Sequence, residues 1–266
     1  MVSRYKEILD KIIWSFSTLH LYETCPYAFY LKKICGLTGV GNDYADIGKF
    51  AHELNSAIFA NDMSLDEAIS KWVDDFDGYH YSINQSTANK KLESFCDYLV
   101  NFDEGYTDKY QVIGNELKIE WKIGKYNFIG YIDLLLQDKE TEDILLIDHK
   151  SAGKFFGKKG QLLKSQEENF KAYRNQMYLY CVPIFAKYKK YPKYIIWNHI
   201  FDGETTKIPF DIDEFEATKK WATDRIKQIY KETEFEAKQQ YMMCRMLCDY
   251  RVDDCEYLSE KENDYE

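Results

Sequence analysis

Apolar positions recur at helical spacing through the first hundred residues. Tyr5, Ile8, Leu9, Ile12 and Ile13 fall at i, i+3, i+4, i+7 and i+8, which predicts an amphipathic helix over residues 4–13. Ser15 or Ser17 can cap a second helix, and Pro26 suits the first turn of a third. Ile47, Phe50, Ala51, Leu54 and Ile58 form a further helical stripe, and Leu92, Phe95, Cys96 and Leu99 another. Between them, Ser64-Leu-Asp-Glu67 reads as a capping box opening a helix into the 70s. The period then shifts to two. Leu117, Ile119 and Trp121 alternate with polar residues, Gly124-Lys125 offers a turn, and Tyr126 to Leu136 is a β-rich run. A polar turn over 138–143 leads to a short apolar strand over 144–148. A helix is expected over 166–187 with Phe170, Met177, Tyr180, Cys181 and Ile184 facing inward. Residues 194–201 and 205–210 read as a hairpin across Asp202-Gly203, and Asp213 to Glu216 opens a last helix to about residue 238. This order predicts an α/β fold with a mixed sheet in one domain: a helical region over 1–110, an α/β core over 111–240, a cysteine-bearing segment over 241–256 and an acidic tail over 257–266.

Composition narrows the class. The chain has 266 residues, 45% hydrophobic and 30% charged, which is ordinary for a globular protein. Its longest uncharged apolar run, Met177 to Ala186, is far too short to cross a bilayer, and the charged N-terminus lacks the apolar stretch of a secretory signal. A cytoplasmic protein with no membrane partner is expected. Seven cysteines, an odd count, speak against a disulfide framework. The formal charge of −10 argues against a strongly basic nucleic-acid binder, but residues 253–266 alone carry seven acids and one Lys. The remainder has 38 acids and 34 bases. Bulk charge therefore leaves room for a local nucleic-acid site.

The candidate chemistry lies in the strands. Asp148 and Lys150 stand two apart and share a strand face. A carboxylate beside an ammonium can hold a hard cation and offset charge on an attacked phosphate. Taken alone, Asp-x-Lys is commonly a solvated strand end. Asp133 interrupts an apolar run from Ile129 to Leu136, and a buried carboxylate is costly unless paired or metal-bound. Gln176 and Tyr180 lie one helical turn apart.

Together, Gly130-Tyr-Ile-Asp133, Asp148-His-Lys150 and Gln176-Met-Tyr-Leu-Tyr180 resemble the core of the PD-(D/E)xK nuclease superfamily, RecB-like branch. Residues 15–30 are similar to that branch's N-terminal signature, and Gly48-Lys-Phe-Ala-His52 to its Gly-x-x-x-His element. The resemblance covers about residues 15–255. It implies a restriction-endonuclease-like core, Mg²⁺ or Mn²⁺, and phosphodiester hydrolysis. His52, Asp133, Asp148 and the carbonyl of His149 would be metal ligands. Glu116 would be a further acid, with Glu120 competing for that role. Lys150 would activate water and offset charge, and Gln176 with Tyr180 would support the site. Gly48 would let another segment approach the helix closely.

Cys25, Cys244, Cys248 and Cys255 have the layout of the branch's iron–sulfur members, the AddB-type and CRISPR-associated exonucleases, although the spacing C-x3-C-x6-C is one residue longer in each gap. This implies a [4Fe-4S] cluster, with zinc or free core thiols as alternatives. Residues 150–164 hold five Lys and no acid, so Lys154, Lys158, Lys159 and Lys164 are candidates for phosphate contacts from a flexible loop. The Lys- and Tyr-rich segment 186–194 reads more cheaply as a polar connector. The leading expectation is a metal-dependent DNA exonuclease acting on single strands or ends. The alternatives are a structure-specific endonuclease and a non-catalytic DNA-end-binding or adaptor subunit. No Walker phosphate loop is present, so any unwinding would come from a helicase or recombination partner.

Overall fold

Polar caps set where several helices start. The Ser15 side chain accepts the Thr18 N–H and opens α1 (Phe16–Thr24). Helix α2 (Asp43–Phe59) carries acids in its first turn, where the helix dipole favours them. The capping box at Ser64 and Glu67 opens α3 (Leu65–Asp75), and Asn84 caps α4 (Gln85–Val100). Strands β1 (Tyr110–Ile123), β2 (Tyr126–Asp138) and β3 (Ile144–Lys150) follow, then α5 (Glu167–Tyr188), β4 (Tyr194–His199), β5 (Glu204–Pro209) and α6 (Ile212–Ile229). The computed structural model describes residues 4–76, 83–102, 106–238, 243–251 and 255–259. Residues 260–266, most of the expected acidic tail, lie outside the described residues.

The strands form one five-stranded mixed sheet in the order β1-β2-β3-β4-β5. β2 and β3 are antiparallel, β3 and β4 parallel, and β4 and β5 antiparallel. The parallel pair is joined through α5, the crossover such a pair requires. The fold is therefore mixed α/β. The chain divides into two compact units. One comprises Met1–Asn42, Glu120–Ile129 and Glu216–Glu266, and the other Asp43–Ile119 and Gly130–Phe215.

In the second unit, Trp72 of α3 packs among Phe50, Phe76 and Phe95, with ring centroids 4.5–5.2 Å away. On the sheet, Phe59 joins Leu134, Leu136, Leu145 and Ile196. In the first unit, Phe235 is buried against Tyr5, Tyr22, Phe29 and Tyr30.

Two helices are shorter than their periodicity predicts, and packing explains both. The helix expected over 4–13 is only Lys6–Leu9. Trp14 extends to bridge Phe128, donating to the Asn127 carbonyl and accepting from the Ile129 N–H, which pulls the preceding chain out of helix. Helix α6 ends at Ile229 rather than near 238, and its last turn tightens through the Lys231 and Glu232 amides. Phe235 then leaves helical register for the aromatic cluster. β1 begins seven residues before Leu117, at Tyr110.

Candidate active site

Strand register builds the centre of the site. The paired residues of β2 and β3 end at Leu134 and Ile147. Asp133 and Asp148 lie just beyond these, and the His149 N–H donates to the Asp133 side chain, at Oδ2, 2.8 Å away. Asp148 is 3% exposed. Its Oδ2 lies 2.7 Å from Lys150 Nζ, as period-two alternation requires of two residues on one face.

Helix α5 brings a second layer. Gln176 accepts from Lys150 Nζ at 3.0 Å and donates to Asp148 Oδ1 and Tyr180 Oη, each at 3.2 Å. The amide thus clamps both members of the ion pair. Tyr173, one turn earlier on the same helix, places its ring 3.9 Å below Lys150 Nζ.

Helix α2 supplies His52. Its Nδ1 lies 3.5 Å from Asp133 Oδ2. The helix can come this close because Gly48 has no side chain: a Cβ there would meet Ser151 Oγ at 2.7 Å. Glu116 completes the group. It sits mid-strand in β1 with φ +45°, a left-handed conformation costly for a residue with a Cβ. One ligand atom each from His52, Glu116 and Asp133 lies within 4.8 Å of the other two. An open cleft of ≈ 610 Å³ is lined by His52, Glu116, Gly48, Ser56 and Ser151 among others.

Burial and charge tune these groups. Burial, and then the Asp148 charge, hold the Asp133 carboxyl well above its ordinary range. The same two causes raise Glu116. Burial lowers His52 and pushes His149 down to about 3, so both rings are neutral at pH 7. Burial works against the Lys150 charge, but Asp148, Tyr173 and Asp133 together outweigh it and hold the ammonium above its usual value. Crowded carboxylates beside a neutral imidazole lone pair are the donor set of a divalent cation, which would relieve the repulsion between the acids. The residues present fit such an ion.

The structure brings His52, Glu116 and Asp133 together, with Asp148, Lys150, Gln176 and Tyr180 alongside. Glu120 lies outside this group, in the other unit. Spacing alone did not single out Tyr173, Asn198 or Tyr98. Tyr173 was legible as a residue three before Gln176 on one helical face. The other two needed the register: Asn198 is the β4 partner of His149, and its Nδ2 donates to Tyr98 Oη and His149 Nδ1 at 2.8 and 3.2 Å.

The lysine-rich segment differs from the expected flexible loop. Phe155 is fully buried, Phe156 bridges Leu162, and the Leu163 N–H donates to the Phe155 carbonyl. Lys154 is paired with Glu204, and its amide donates to Asp202. Lys158, Lys159 and Lys164 remain exposed. In the segment before β4, Lys190 and Lys193 pair with Glu142 and Asp143, as a polar connector would.

The expected iron–sulfur ligand set is not supported. Cys25, Cys248 and Cys255 pack against Ala28, Leu31 and Tyr250, and Cys244 Sγ lies 3.8 Å from the Lys238 carbonyl. Burial raises the Cys248 thiol, and neighbouring thiols add to that. They are near enough to feel one another's charge, yet among the described residues no three cysteine sulfurs gather within 4.8 Å.

Comparison with known proteins gives two findings. A family profile described as the PD-(D/E)XK nuclease superfamily matches residues 13–257. A crystal structure from Eubacterium rectale named "Putative exonuclease" superposes with a TM-score of 0.51 at 12% identity, covering 97% of this chain and 91% of that one. No curated protein matches the sequence. Among the described residues, no helix is long and apolar enough to cross a membrane.

Proposed function

The chain belongs to the PD-(D/E)XK nuclease superfamily, and on that premise we propose that it is a metal-dependent DNA exonuclease of the RecB-like type, acting on single strands or DNA ends. The observation that carries this reading is the convergence of His52, Glu116 and Asp133 beside the Asp148–Lys150 pair. These acids, with His52, would hold Mg²⁺ or Mn²⁺. When bound, the ion acidifies water and offsets phosphate charge.

The protein's own residues do the rest. Lys150 presents a fixed ammonium toward the attacked phosphate, and a charge already in place costs no reorganisation as the transition state forms. Asp148 keeps that ammonium protonated. Gln176 holds both groups in one geometry, and Tyr173 supports Lys150 from below. Neutral His52 offers a lone pair rather than a competing positive charge. Lys158, Lys159 and Lys164 are free to meet the strand's phosphates, whereas Lys154 is spent on Glu204. The name of the Eubacterium rectale protein supports exonuclease over endonuclease. A cytoplasmic setting and a helicase or recombination partner fit this reading.

The test is cleavage of end-labelled single-stranded, duplex and branched DNA with Mn²⁺. Progressive shortening from an end is expected. Discrete cuts at the branch point would favour the endonuclease instead, and binding without cleavage would favour an adaptor.

A further inference from the structure

Because side chains alternate along β3, His149 points to the face opposite Asp148 and Lys150. That face opens on a second cavity of ≈ 600 Å³, contained within the second unit. Rings form much of its wall. The Phe59 centroid lies 5.3 Å from Phe102 and 5.0 Å from Tyr106, and the His149 ring stands near-parallel to Phe59 at 5.8 Å. The cavity is open to solvent on one side, where Asp97, Asp202, Thr205 and Lys207 are exposed. Its volume and its mix of rings with a few polar groups are those of a small-molecule site.

The polar groups narrow the ligand. Asn198 donates to Tyr98 Oη and His149 Nδ1. Both amide hydrogens are thereby used, and among the described residues the Asn198 carbonyl oxygen has no hydrogen-bond partner. It is an acceptor beside the Tyr98 hydroxyl, which burial pushes up to about 12 and so keeps uncharged. Asp97, Asp202 and Lys207 also line the cavity, two acids against one base, which does not favour a polyanion inside. A flat, uncharged heteroaromatic ring bearing an amino donor fits these walls and this acceptor.

We propose that this cavity is a nucleobase site, taking a base that carries an exocyclic amino group while its sugar and phosphate stay outside. Stacking on aromatic side chains combined with edge hydrogen bonds is how proteins hold unpaired bases. The choice of nucleic-acid chemistry rests on the nuclease reading. The cavity also shares a residue with the catalytic group: the His149 amide holds Asp133, and its ring meets His52 edge to face at 5.9 Å. Two sources of base are open, a strand bound for cleavage and a free nucleoside.

The test is titration of 2′-deoxycytidine in EDTA, where cleavage plays no part. A ligand of this size is expected to bind with Kd on the order of 1 mM. Thr205 is exposed and is the β5 partner of Asn198, so its side chain shares that face. Thr205→Trp should weaken binding by about tenfold or more, the range for losing one stacked base, while Thr205→Val binds as the wild type does. Absence of saturable binding by the wild type up to about 10 mM would overturn the proposal even if DNA cleavage is intact. So would undiminished affinity in a folded Thr205→Trp variant. Single-stranded competitors separate the sources. Displacement by an intact strand but not an abasic one assigns the base to a bound strand, and displacement by neither assigns a free nucleoside. Equal displacement by both would overturn base recognition.

Discussion

The Asp133 carboxyl trades solvent for one amide hydrogen bond and a neighbour of like charge, Asp148. Its raised pKa has a definite thermodynamic sign. Between its unfolded pKa, near 3.9, and its higher folded value, the folded chain binds more protons than the unfolded one, so stability falls as pH rises through that window. Asp133→Asn removes this cost and keeps an oxygen for the His149 N–H. In EDTA at pH 7 the variant should melt above the wild type, by ~2–4 °C for each ~1 kcal/mol released, and it should not cleave DNA. A lower melting point would contradict this view of Asp133. Metal should raise the wild-type midpoint more than that of the variant. At this scale, Asp133, Asp148 and Lys150 were legible because alternation places buried charge where apolar residues are expected. The placement of Glu116 was not, since its left-handed backbone depends on how β1 is held rather than on its neighbours in sequence.

Two close approaches between elements set the site. Helix α2 comes up to the end of β3 where Gly48 meets Ser151. Gly48→Ala should displace His52, lowering cleavage and the melting temperature together. Ser151→Gly in the same chain should recover much of both, as expected for residues that touch directly. A double variant no better than Gly48→Ala would show that this approach does not set the helix. Helix α5 lays Tyr173, Gln176 and Tyr180 along one face. Gln176→Ala frees Lys150 and Asp148 from a common clamp and should lower kcat about 10- to 100-fold with a smaller effect on KM, measured in steady-state cleavage. The order of elements was readable from the shift in hydrophobic period. The ends of the first and last helices were not. Trp14 and Phe235 are drawn away by partners distant in sequence, and tertiary packing overrides helical periodicity at such points.

Across the whole chain, a net charge of −10 coexists with an exposed Lys158–Lys159 tip. Binding to single strands should therefore be modest and salt-sensitive. In EDTA, Lys158→Ala with Lys159→Ala should flatten the log–log salt dependence by about 0.7 for each phosphate no longer neutralised, whereas Lys154→Ala should barely change it. An unchanged slope in the double variant would move the phosphate track elsewhere. The sequence showed a basic run, but only the fold shows which of its lysines is already paired. The cysteines teach the converse: four thiols in a suggestive order come into one neighbourhood, yet among the described residues no three of their sulfurs gather within 4.8 Å.

The central claim is that Lys150 and the carboxylates around it hydrolyse DNA with a divalent cation. The most direct measurement compares wild type with Lys150→Ala on end-labelled single-stranded DNA, with Mg²⁺, Mn²⁺ or EDTA, alongside DNA binding by both proteins. Wild-type cleavage that EDTA stops is expected, with a fall of about 10²–10³-fold or more in Lys150→Ala and binding retained. Cleavage by the variant at the wild-type rate would contradict the claim.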